Sequence, residues 1–375
     1  MAGFRNANVY VEGKGIIKTS IQFVDGKITS FDDDEKLDSL PENLIVVPGF
    51  IDEHIHGANG SDTMYATRKD LENIASSLTQ DGVTSFYPTT MSMSLADVKK
   101  ALICIASNLD VKGASIKGIN VEGPFISVKY CGAQDPKNII KATKEDIEDL
   151  VKTSNDLIRI MTIAYEENGP EIVKCLLDHN IIVSLGHSDC KADIAEEAFN
   201  LGANTLTHTY NAMRGIHHRD IGLLGQGLMD DRVYAELICD LHHVSAKAIQ
   251  LLYRLKGKDK ICLITDSMEA RFLENGKYAL GGQDVLVKDG VATLASGVLA
   301  GSVLRMNEAV RNIKNVLNIS LTDAIDMATI NVARHMKIDN ITGSIKLGNN
   351  ADFAVVDKDL NVYMTIVNGQ IVYKK

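Results

Sequence analysis

Tryptophan is absent from this 375-residue chain, and aromatic residues make up only 5% of it. That leaves little material for the stacked-ring surface on which single-stranded nucleic acids bind. Positive charge is also in deficit: 39 basic residues against 49 acidic ones give a formal charge of −10. Such a field disfavours nucleic acid and anionic membrane surfaces as partners. An anionic small molecule stays admissible, because a pocket needs only local positive groups. No run approaches the roughly 20 apolar residues of a membrane-spanning helix. The opening MAGFRNANVYVEGKG also lacks the apolar stretch of a secretory signal, so a cytoplasmic location is expected. The six cysteines form no C-x-x-C pair and fall mostly in apolar runs, which predicts reduced, buried thiols. Internal repeats of solenoid period and low-complexity segments are missing as well.

What is present divides into β-rich ends and an alternating middle. Residues 1–47 read as short strands with Asp25-Gly26 as a hairpin turn, and 345–375 have the same texture with Asn368-Gly369. Neither end has enough strands to bury a core alone, so the two are expected to meet in one small β-sandwich domain. Between them, 48–344 alternate short β-branched runs with helical patterns, as a parallel sheet covered by helices does. Eight strands are predicted, ending near His54, Tyr87, Val121, Ala164, Gly186, Thr207, Cys239 and Thr265. Eight such units predict a closed (β/α)8 TIM-type barrel. Thr143 and Asp146 form a variant capping box before one helix. Residues 272–298 read as extra hairpins, added to the small β domain, and NEAVRNIKNVLN and LTDAIDMATINVARHM as the helices that complete the barrel.

Metal-capable side chains fall at the ends of these strands. His54 and His56 end the first, Glu122 follows the third, and His187 follows the fifth. His208 ends the sixth, His243 follows the seventh, and Asp266 follows the eighth. Alternate residues of a strand share a face, and barrel strands share one rim at their C-terminal ends, where catalytic groups gather. Each residue alone has a plainer explanation: an accidental H-x-H, a turn-capping Glu122, a His187 bonded to backbone. Core histidines have no reason to choose that rim repeatedly. Such a set suits Zn²⁺ or Fe²⁺ with a position open to water. His179 reads as a helix cap, His335 lies on a helix, and His217 and His218 sit in a loop. Of His242 and His243, which point apart, only one is expected to enter the site.

The runs PGFIDEHIHG, VEGPFIS, GHS, THTYNAM, DLHHVS, ITDSME and LAGSVLRMNEAVRN resemble the amidohydrolase superfamily, most closely its N-acetylglucosamine-6-phosphate deacetylase family, over essentially the whole chain. The resemblance implies Glu122, His187 and His208 as ligands of the catalytic metal and Asp266 as general base and acid. It gives His54 and His56 as a second-metal pair found in some members, hence one or two ions per subunit, and His243 as a substrate-binding histidine. Leu241 and His242 depart from the family pattern there. Asn211, Ala212 and Ala133 would contact a phosphosugar. Arg219 would reach its phosphate from the partner subunit of a homodimer; its plainer explanation is a solvated loop charge. The strand-four end lacks the carbamylated lysine of many dinuclear relatives, so Glu122 would bridge. Cys131, nine residues after Glu122, reads as an inert loop thiol. Two other readings stay open. A cyclic amidase or deaminase would use the same metal, and a silent sugar-phosphate binder would hold none.

Overall fold

The computed structural model describes residues 2–375. Its centre is a parallel barrel of eight strands: β1 (Phe50–Ile55), β2 (Val83–Thr90), β3 (Ile119–Glu122), β4 (Ile158–Ile163), β5 (Ile182–Leu185), β6 (Thr205–Leu206), β7 (Tyr234–Ile238) and β8 (Ile261–Ile264). These are the eight strands expected from the sequence, though several bounds shift; β2 runs on to Thr90 and His208 falls just beyond β6. Nearly every strand residue is buried, as parallel strands require when helices cover one face and a packed interior fills the other. Register follows from this pattern, with Ile160 opposite Ile182 and Met161 opposite Val183. Val183 and Leu185 pack outward under the helices, while Ile51, Tyr87, Ile160, Ile182 and Cys262 fill the interior with Val332 and Met336.

Closure between β8 and β1 has two parts. At the upper rim the Asp266 N–H donates to the His54 carbonyl (2.9 Å) and the His56 N–H to that of Ser267 (3.0 Å). Lower down, the Met327 and Ala328 carbonyls accept from Leu263 (2.7 Å) and Ile51 (2.9 Å). That wedge corrects one expectation. The segment read as a single last helix breaks into Leu321–Asp326 and Ile330–His335, because the backbone between them serves the barrel strands instead of a helix. The helix Gly222–Met229 was hidden by its glycines. Gly227 packs so close to Leu206 that an added Cβ would lie 2.7 Å from that side chain. The capping box forms in both directions: Thr143 Oγ1 accepts from the Asp146 N–H (3.1 Å) and Asp146 Oδ2 from the Thr143 N–H (3.0 Å).

Both chain ends join one eight-stranded sheet, in which Ile45–Pro48 runs antiparallel to Phe353–Val356 with Val46 opposite Val355. The sheet wraps its own core of Phe4, Val9, Ile21, Phe23 and Phe353. Asp25-Gly26 and Asn368-Gly369 turn the hairpins with positive φ at both residues, the twist-matched geometry for two-residue turns. The two turns meet, since a Cβ on Gly26 would lie 3.0 Å from the Asn368 carbonyl. The extra hairpins do not belong to this sheet, contrary to expectation. Gly276–Leu280, Gln283–Lys288 and Val291–Leu294 form a separate three-stranded sheet. Its apolar face, Leu280, Val285 and Val287, packs on Met91 and Met268. An alternating strand shows that one face is buried but not against what.

Candidate metal centre

At the C-terminal rim a cavity of about 210 Å³ is lined by His56, Glu122, His187, His208, His243 and Asp266, with Asn211, Ala212 and Ala133 at its sides. Glu122 lies at the centre. Its Oε1 is 3.0 Å from both His187 Nε2 and His208 Nε2 and 3.7 Å from His54 Nε2, and its Oε2 is 3.2 Å from His56 Nε2. Asp266 Oδ1 stands 3.1 Å from His56 Nε2 and 3.7 Å from His54 Nε2. The donors fall into two groups around the shared Glu122: His54, His56 and Asp266, and Glu122, His187 and His208.

The other ring nitrogens explain why these fit a cation. His56 Nδ1 lies 3.2 Å from the Thr89 carbonyl and His187 Nδ1 2.9 Å from that of Tyr130. A carbonyl only accepts, so each Nδ1 carries a proton and each Nε2 is the nitrogen turned toward the carboxylates. Bare lone pairs facing carboxylate oxygens repel, so a proton or an ion must stand between them. Burial alone would discharge both partners, yet the carboxylates hold His56 protonated up to about 10. His54 is likewise raised well above its ordinary value by Glu236 and Glu122, against the effect of burial. Burial works against ionising Glu122 too, and His54, His187 and His208 outweigh it, holding the carboxyl well below the usual range. Asp266 is lowered against burial by His56 and His54. A divalent ion takes the place of such protons directly.

Local backbone geometry presents these groups. His187, His208 and Asp266 all have positive φ (46°, 29° and 48°), a conformation costing non-glycine residues of order 1–3 kcal/mol each. Backbone bonds hold it: Ser127 N–H to the His187 carbonyl (2.8 Å), Asn211 N–H to that of His208 (3.0 Å) and Ser302 N–H to that of Asp266 (2.8 Å). His243 enters the pocket with Nδ1 on Asp240 Oδ2 at 2.7 Å, whereas His242 is exposed. Arg219 is not brought to its own chain's pocket; it is exposed, with Nη1 2.9 Å from His218 Nε2. Cys131 is partly exposed and precedes the pocket residues Gly132 and Ala133. His179 occupies a helix C-cap.

Sequence reasoning missed several contributors. Gln134 Nε2 donates to Glu122 Oε2 (2.8 Å) while its carbonyl oxygen accepts from the Ser92 N–H (2.7 Å). Leu280 and Leu299 supply an apolar wall, and Gln283 ties the hairpin sheet to the Ala133 carbonyl. His335 is fully buried beneath the site, with Nδ1 2.8 Å from Glu53 Oε2 and Nε2 2.7 Å from Thr205 Oγ1. Glu236 lies within β7. A charged residue inside an apolar run, as in FIDEHI and YAELI, was the available signal.

Similarity to known proteins agrees with this geometry. The model of the Amidohydrolase family matches residues 45–372. The N-acetylglucosamine-6-phosphate deacetylase of Bacillus subtilis (strain 168) is 38% identical over 339 residues, covering 89% of this chain and 86% of that protein. The solved N-acetylglucosamine-6-phosphate deacetylase of Thermotoga maritima superposes with a TM-score of 0.90 at 32% identity, covering 99% of each chain. A mutant N-acetyl-D-glucosamine-6-phosphate deacetylase from Mycobacterium smegmatis, in complex with N-acetyl-D-glucosamine-6-phosphate, gives 0.93 at 25% identity, covering 100% of this chain and 99% of that one. The chain belongs to the amidohydrolase family.

Proposed function

We propose that this protein hydrolyses the acetamide of N-acetylglucosamine 6-phosphate, releasing acetate and glucosamine 6-phosphate. The observation that carries the reading is the gathering of Glu122, His187, His208 and Asp266 around one small cavity in a chain whose relatives are deacetylases of that phosphosugar. Glu122, His187 and His208 would hold a divalent ion, Zn²⁺ or Fe²⁺, and His54, His56 and Asp266 a second. Bound there, such an ion supplies Lewis acidity, which makes water nucleophilic near neutral pH and polarises a carbonyl.

The chain's own groups account for the rest. Asp266, kept ionised, accepts the proton of the attacking water and hands it to the departing amine. His243 donates a hydrogen bond to the developing oxyanion. Asn211, Ala212 and Ala133 flank the sugar, and the Leu280 wall limits water at the reacting bond. Arg219 reaches the phosphate from the partner in a homodimer. Residues 48–344 form the catalytic domain, 1–47 and 345–375 the small β domain, and the protein works in the cytoplasm; among the described residues no helix is long and apolar enough to cross a membrane. The Asp266→Asn variant tests the base assignment. It should fold, keep the ion at Glu122 by metal analysis and lose nearly all acetate release; substantial residual turnover would contradict the assignment.

A further inference from the structure

Glu236 is a fully buried carboxylate in the middle of β7. Its Oε2 lies 3.0 Å from the backbone nitrogen of His208 and 3.0 Å from Nδ1 of His54. The His208 N–H can only donate, which marks Oε2 as an acceptor, so the His54 bond carries its proton on Nδ1. His54 Nε2 is then the nitrogen turned toward Glu122 and Asp266, and it is buried without a hydrogen-bond partner.

The remaining imidazoles are held differently. His56 and His187 rest Nδ1 on backbone carbonyls, and His208 Nδ1 is buried without a partner. Of the four rings, His54 alone has a carboxylate against Nδ1, the nitrogen turned away from Glu122 and Asp266. A carboxylate behind a ligating imidazole fixes its tautomer and orientation and raises its basicity.

We infer that Glu236 is a positioning residue that readies His54 for the second ion. Through the His208 backbone it also ties that half of the centre to the half built on Glu122. The inference rests on the two-ion form of the reading above. Glu236 touches the His54 ring but only the backbone of His208, so its removal weakens the His54–His56–Asp266 ion far more than the other. A residue that merely stitched β7 to its neighbours would lower stability and leave the two affinities in their original ratio.

The test is a chelator-competition titration with Zn²⁺ on the full-length wild type and Glu236→Gln, followed by metal analysis, with thermal unfolding of both metal-free proteins. Wild type should bind two ions per subunit. Glu236→Gln should bind the second about 10–100-fold more weakly, keep the first within a few-fold and unfold close to wild type. If Glu236→Gln does not fold, Glu236→Asp, which keeps the charge but draws it back by one methylene, should show the same asymmetry. Unchanged affinities, or equal losses at both ions, would overturn the inference. A wild type that binds one ion also overturns it, yet leaves the hydrolytic reading standing, because that needs only the ion at Glu122. Two ions in wild type and the asymmetric loss in Glu236→Gln, with no acetate released by wild type, would support the role of Glu236 and overturn the hydrolytic reading.

Discussion

Asp266 and His243 approach the cavity from different strands with opposite proton requirements. Asp266 must be ionised to act as a base, and the imidazoles beside it lower its pKa despite burial. His243 must donate. With Nδ1 2.7 Å from Asp240 Oδ2, its Nε2 is the nitrogen left to face a substrate. Burial opposes charge on Asp240, and His243 outweighs that effect, holding the carboxyl below its ordinary value. An oxyanion donor is worth about 3–4 kcal/mol, so His243→Asn should lower kcat by roughly 10²–10³ with little change in metal content. Steady-state kinetics with metal analysis would show it, and unchanged turnover would remove His243 from the chemistry. At this scale the sequence was most legible. A histidine or carboxylate at a strand end announces itself by residue type. Gln134, whose amide braces Glu122, did not, because a glutamine in a loop resembles any solvated polar residue.

Among elements, a buried ion cluster lies beside the join between β1 and β8. Arg271, fully buried, pairs with Asp81 and lies 3.6 Å from Asp52 Oδ2. Asp52 also accepts from the Thr265 N–H and hydroxyl. Burial raises the Asp52 carboxyl to about 6, with Arg271 pulling the other way. Arg271→Met would leave buried Asp52 without its nearby cation and Asp81 with Arg305 alone. Breaking a buried pair from one side costs about 3–5 kcal/mol, so denaturant unfolding should show a loss of that order, and a change within about 0.5 kcal/mol would mean that the cluster carries no stability. The strands themselves were readable from β-branched runs. The break at Met327–Ala328 was not, because helical periodicity in LTDAIDMATINVARH continues through residues whose carbonyls serve other strands. The placement of the 276–294 sheet was equally hidden. An HPHP pattern identifies a half-buried hairpin, and only the partner surface of Met91 and Met268 fixes where it docks.

For the whole molecule, the barrel brings residues more than 200 positions apart in sequence onto one rim, and the terminal sheet and hairpin sheet are built around it. Arg219 belongs to this scale, since it stands outside its own pocket. With the homodimer proposed above, Arg219→Ala should raise KM for the phosphorylated sugar while leaving kcat close to wild type. An equal KM for wild type and variant would leave Arg219 a solvated loop charge. Whether one ion-centred site hydrolyses the amide is read from acetate release by N-acetylglucosamine 6-phosphate. The assay would follow exhaustive chelation and then separate add-back of Zn²⁺, Fe²⁺ or Mn²⁺. Activity should vanish with the metal and return with at least one of the three, acetate forming in equal amount to the free amine. Undiminished turnover by metal-free protein, or ammonia in place of acetate, would rule out a metal-dependent deacetylase.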